Sequence, residues 1–104
     1  MSRPLNKLGA RAVQTRPSGK HSDGGGLWLV KTDQKSGYWV LRFTIHGRRR
    51  EMGLGSIAVV SLKAAREDAA KWRAVAAAGL DPIVERERLA REAAHNLHLF
   101  KDVT

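Results

Sequence analysis

The stretch Tyr38–His46, "YWVLRFTIH", decides how this chain folds. Trp39, Leu41, Phe43 and Ile45 alternate there with Tyr38, Val40, Arg42, Thr44 and His46. Side chains of a β-strand point to opposite faces with a period of two. The first set therefore forms an apolar face and the second a mixed, polar one. A one-sided sheet follows, with one face to be covered and the other open to solvent or a partner.

Working outward, Gly47 allows a tight turn, with Arg48, into another strand over Arg49–Leu54. Met52 and Leu54 share a face of that strand with Arg50, while Arg49, Glu51 and Gly53 take the other. Upstream, Thr32–Gly37 ("TDQKSG") is turn chemistry, and Leu27–Lys31 reads as a strand. The result is an antiparallel meander of three strands within about residues 20–55. Before it stand Gly24, Gly25 and Gly26. A dinucleotide fingerprint needs its glycines to open into a helix, and these open into a strand. A sharp bend feeding the strand, or a close backbone approach, is the better reading.

The cover comes from Ser61–Ala78. Ser61 suits an N-cap, and Leu62, Ala65, Ala69, Trp72 and Ala76 recur at helical steps of three and four. Gly79 ends this helix, and Asp81-Pro82 caps and starts a second one. That second helix, "IVERERLAREAAHNL", is charged on most sides and reads as a solvated connector over residues 81–98. Near the start, Leu5–Val13 suits a short helical turn within a basic segment punctuated by Pro4, Pro17 and Gly19. The fold class expected is α+β: a three-stranded antiparallel sheet packed against one helix, followed by the connecting helix.

Charge narrows the function. The 104 residues carry a formal net charge of +9. Eleven basic residues face only Asp23 and Asp33 up to position 50, and eight of each sign balance beyond it. The excess therefore coincides with the expected sheet and points to a polyanion. There is no cysteine, which excludes disulfides and thiolate metal sites and fits a cytoplasmic setting. No apolar run approaches the length of a membrane span, so no membrane partner is expected.

Catalytic and metal constellations are not found. His95 and His98 lie three apart without a third ligand in local spacing, and His21 and His46 are distant, so no metal is expected. Tyr38, the single tyrosine, reads as a sheet-surface aromatic rather than a nucleophile. No cofactor site is legible, and the chain is not expected to be an enzyme on its own.

The polar face of the sheet remains. A β-ribbon can enter the DNA major groove, where arginine pairs with guanine edges and threonine contacts either base type. Arg42, Thr44 and Arg49 are the candidate base readers, and Lys20, Lys31, Lys35 and Arg48 the candidate phosphate contacts. Tyr38 joins this DNA-binding set. Arg50 belongs to it less directly, because alternation sends it toward the helix side.

The ordered set "SDGGGLWL", "YWVLRFTIHGRRREMGLG", "SLKAAREDA" and "AAGLDP" resembles the N-terminal arm-type DNA-binding domain of phage-type integrases, the tyrosine recombinases. The matching positions run from Asp23, Gly24–Gly26, Leu27 and Leu29 through Trp39, Arg42, Phe43, Gly47, Arg48, Leu54 and Gly55. They continue through Ser61, Leu62, Ala65 and Arg66 to Gly79, Asp81 and Pro82. The chain departs from the family where many members have Tyr-Pro and this one has Ile57-Ala58. Lys31 also stands where an aliphatic residue is common.

The resemblance implies a non-catalytic module, residues 1–80, that sets its sheet in the major groove of arm-type attachment sites in a bacterial cytoplasm. It also implies a core-binding domain beginning around residues 99–104 ("FKDVT" closes the chain) and a catalytic domain beyond, for recombination and integration of a mobile element. Double-stranded DNA is the implied partner, with other integrase subunits as a further one. A different class remains open: a module for RNA or single strands, stacking bases on Trp28 and Tyr38. Subunit contact through the charged helix from Pro82 is the third reading.

Overall fold

The computed structural model describes residues 8–101, with side chains described as far as Asn96. In chain order the elements are α1 (Ala10–Thr15), β1 (Gly19–Gly24), β2 (Leu27–Lys31), β3 (Gly37–Ile45), β4 (Arg48–Ser56), α2 (Leu62–Ala77) and α3 (Pro82–Lys101). The strands form one sheet in the order β1-β2-β3-β4, each pair antiparallel. The meander is as expected, but with four strands instead of three. Leu5, at the start of the expected helical turn, lies outside the described residues; the helix itself is α1.

The extra strand is β1, "GKHSDG", which has no apolar alternation to announce it. Backbone pairing to β2 holds it at the sheet edge, with Lys20 opposite Val30 and Ser22 opposite Trp28. Gly24, Gly25 and Gly26 thus close a hairpin and do not simply feed a strand. Gly25 and Gly26 are its two-residue loop, with φ of +62° and +88°. The β3–β4 hairpin repeats the device with His46 (φ +51°) and Gly47 (φ +75°). Two successive positive-φ residues match the right-handed twist of paired strands. The second turn is therefore His46-Gly47, and Arg48 already belongs to β4. Gly26 serves a second purpose, since its carbonyl accepts from the Arg42 amide at 2.7 Å. A Cβ there would lie 2.3 Å from the Arg42 carbonyl oxygen.

Trp39, Leu41, Phe43 and Ile45 are buried on one face of β3, as alternation requires, together with Leu27, Leu29 and Met52. Helix α2 covers that face with Ala65, Ala69 and Trp72, flanked by the partly buried Leu62 and Ala76. Small alanines let the helix lie close to the sheet, while Trp72 fills volume. The ends of α2 form as expected. The Ser61 hydroxyl accepts from the Ala64 amide at 3.1 Å, and Gly79 and Leu80 return their amides to the Ala76 and Val75 carbonyls. Asp81 caps α3 by accepting from the Ile83 amide at 2.9 Å. No helix among the described residues is long and apolar enough to cross a membrane.

Candidate nucleic-acid interface

Residues paired across an antiparallel sheet share a face. The register therefore arranges the face opposite α2 in four rows. Lys20, Val30, Tyr38 and Ser56 form the first, and Ser22, Trp28, Val40 and Gly53 the second. Arg42 with Glu51 forms the third, and Thr44 with Arg49 the fourth. Arg42, Thr44 and Arg49 thus come together on the β3–β4 hairpin, on the side that no helix among the described residues covers. Thr44 and Arg49 are exposed, and Tyr38 retains 44% of its surface.

Arg42 is held in two ways. Its Nε donates to Glu51 Oε1 at 2.8 Å, and its guanidinium carbon lies 4.6 Å from the centroid of the Trp28 ring. A cation over an indole face is attracted by the ring quadrupole. Lys20 is exposed in the first row of the open face, and Arg48 is exposed at the opposite end of the sheet, where its pairing with Ile45 gives it the parity of the covered face. Lys35 is exposed in the β2–β3 turn, which Asp33 shapes by accepting from the Lys35 and Ser36 amides, both at 2.7 Å. Those two backbone hydrogen bonds hold the Asp33 carboxyl below its ordinary pKa.

Lys31 is placed differently from the expected phosphate contact. It is 2% exposed, and its Nζ donates to the Val13 and Gln34 carbonyls, each at 2.8 Å. Parity explains this, because Leu27, Leu29 and Lys31 alternate onto the covered face of β2. The ammonium satisfies a carbonyl at the end of α1 that has no partner within the helix. Arg50 also turns toward the covered side and pairs with Asp81. Burial opposes ionisation of Asp81, but the Ile83 amide and the Arg50 guanidinium outweigh it and hold the carboxyl below its usual value.

A buried cluster behind the sheet has no clear signal in local pattern. Asp23, 2% exposed, takes two hydrogen bonds from Arg66 of α2, both at 2.9 Å, and a third from the Leu8 amide at 2.8 Å. Arg66 also donates to the Leu8 carbonyl at 2.6 Å. Hydrogen bonding to Asp23 raises the pKa of Arg66 further. One ion pair thereby ties the N-terminal segment, β1 and α2 together. Arg73 and Arg86 reach from the helices to the Gly25 and Gly53 carbonyls.

These features meet a family model described as an arm DNA-binding domain, which matches residues 5–89. The chain belongs to this family. No curated protein gives a match. As an arm domain it is a DNA-binding, non-catalytic module, and DNA is its partner. The arginines and lysine of the covered face stabilise the fold, and those of the open face stay accessible. Asp23 and Arg66 stand among the motif positions of the sequence, and the arm domain uses them as its internal brace.

Proposed function

We propose that this arm domain lays the open face of its sheet in the major groove of duplex DNA at an arm-type attachment site. It acts there as the non-catalytic N-terminal module of a phage-type integrase, a tyrosine recombinase. In this reading residues 1–80 form the DNA-binding module and residues 81–98 the connector. A core-binding domain would start around residues 99–104, of which 102–104 lie outside the described residues.

The observation that carries the reading is the clustering of Arg42, Thr44 and Arg49 in adjacent rows on the open face of the β3–β4 hairpin. A hairpin is narrow enough for the major groove, whose base edges offer acceptors to arginine. Lys20 and Lys35 fringe that surface and suit phosphates beside it, with Tyr38 at the edge of the same face; Arg48, exposed at the hairpin end with the opposite parity, suits a phosphate reached around that end. The alternative of base stacking on single strands is disfavoured by Arg42, which already occupies a face of Trp28.

The test is a titration of the labelled protein with duplexes carrying candidate arm sites, followed by NMR. Shifts should concentrate on β2–β4; shifts confined to α3 would reject the model. Affinity should also fall steeply with salt. Neutralising about four to six phosphates gives a log–log slope of about −4 to −5. A flat response, or preference for the matched single strand, would overturn the reading.

A further inference from the structure

Glu51 is an anomaly on the open face. A carboxylate in the middle of a DNA-facing surface repels phosphates and lowers affinity for any sequence. It contributes little to stability either, since both partners are accessible, with 30% of the Arg42 side chain and 51% of the Glu51 side chain exposed. A different use is needed to account for it.

Its position relative to Arg42 supplies one. Glu51 lies directly opposite Arg42 in the β3–β4 register and engages Nε alone. Trp28, one strand away on the other side, stacks beneath the guanidinium. A hydrogen bond at one edge and an aromatic plane below leave an arginine few orientations. Among the described residues, the two terminal nitrogens of Arg42 make no hydrogen bond. They form the end of the guanidinium fork, two donors side by side, which matches the O6 and N7 acceptors on the major-groove edge of guanine.

We infer that Glu51 is a positioning residue for sequence reading: with Trp28 it holds Arg42 so that its terminal nitrogens are presented to a guanine. The inference rests on the major-groove reading above and adds to it the base and the device. Preordering a long side chain removes part of the entropy cost of binding. Pairing with Glu51 also offsets the charge of Arg42, so this arginine adds little to binding of arbitrary phosphates. Discrimination rises and indiscriminate affinity falls.

The experiment uses the full chain. Selection from a randomised duplex pool with the wild-type protein yields a preferred duplex, which is titrated beside a scrambled duplex of equal length. Wild type, Glu51→Ala, Glu51→Gln and Arg42→Ala are compared, with circular dichroism checking the fold. Glu51→Ala should bind the scrambled duplex more tightly, having lost a negative charge. Its ratio of preferred to scrambled affinity should nevertheless drop about fivefold or more, as expected for a disturbed bidentate contact. Glu51→Gln keeps an acceptor oxygen for Nε and should retain most of the ratio.

Replacing the contacted guanine by 7-deazaguanine should weaken wild type but leave Glu51→Ala and Arg42→Ala nearly unaffected. In the free protein, the Arg42 Nε–H resonance should be protected from exchange and lose that protection in Glu51→Ala. The inference is overturned if Glu51→Ala tightens both duplexes equally with the ratio unchanged. It is also overturned if Arg42→Ala keeps the guanine preference. Failure to select any preferred duplex would instead defeat the major-groove reading itself, and the inference with it.

Discussion

The two faces of the sheet use the same residue types for opposite ends. On the covered side Lys31, Arg50, Arg66 and Arg73 each bond to a carbonyl or carboxylate of the protein. On the open side Lys20 and Arg49 are exposed, and Arg42 keeps its terminal nitrogens free among the described residues, while Arg48, opposite Ile45, is exposed at the hairpin end with the parity of the covered side. A net charge of +9 therefore overstates the surface available to a polyanion. Which cations stay accessible is decided by strand parity and by what the helices bring, since a buried cation persists only when its donors are satisfied.

That contrast breaks most severely at its centre. Asp23→Ala strands the Arg66 guanidinium and the Leu8 amide at a site where the carboxylate is almost wholly buried. Losing one partner of such a pair costs about 3–5 kcal/mol. Urea unfolding should show a loss of that size, and near-wild-type stability would reduce the brace to a bystander.

On the open face, Arg42→Ala should cost about 1–3 kcal/mol of binding to a preferred duplex and relax its sequence preference. Lys35→Ala should weaken all duplexes alike and reduce the salt slope by about 1. Gel-shift titrations at several salt concentrations separate these outcomes; identical behaviour of the two variants would erase the distinction between reader and phosphate contact.

Lys31→Met sharpens the comparison from the other side. Two carbonyls lose a charged donor, so stability should fall by about 1–2 kcal/mol. DNA affinity and salt slope of the folded protein should not change. A slope reduced as far as in Lys35→Ala would return Lys31 to the interface.

The smallest effect is in pH. Asp81 and Asp33 have folded pKa values below the ordinary 3.8, so each contributes stability above that value and loses it as pH falls through the lowered one. Thermal melts below about pH 4 should therefore steepen in their decline for wild type and flatten for Asp81→Asn. An unchanged acid limb would remove the Arg50–Asp81 link from the stability of the covered side.

Legibility followed the periodic signals. Alternation in Tyr38–His46 was enough to separate the two faces of β3, because period two and one buried face admit a single arrangement. The α2 stripe and the caps at Ser61, Gly79 and Asp81 were equally plain, since each depends on neighbours within a few residues. Strand β1 was not legible. Its "GKHSDG" has no apolar rhythm, and an edge strand is held by backbone bonds that any sequence can make. Lys31 has the type of a surface cation but the parity of the core, and counting from Leu27 and Leu29 puts it inside.

The sequence by itself determined the class of fold, the lopsided charge and the family motif order, all of them properties of local spacing and composition. Only the tertiary structure decided that Asp23 meets Arg66 across 43 positions, that Arg50 is drawn to Asp81, and that Glu51 and Trp28 hold Arg42 from either side. Such pairings depend on register and on helix placement, which set distances between residues remote in the chain. No local pattern carries that information.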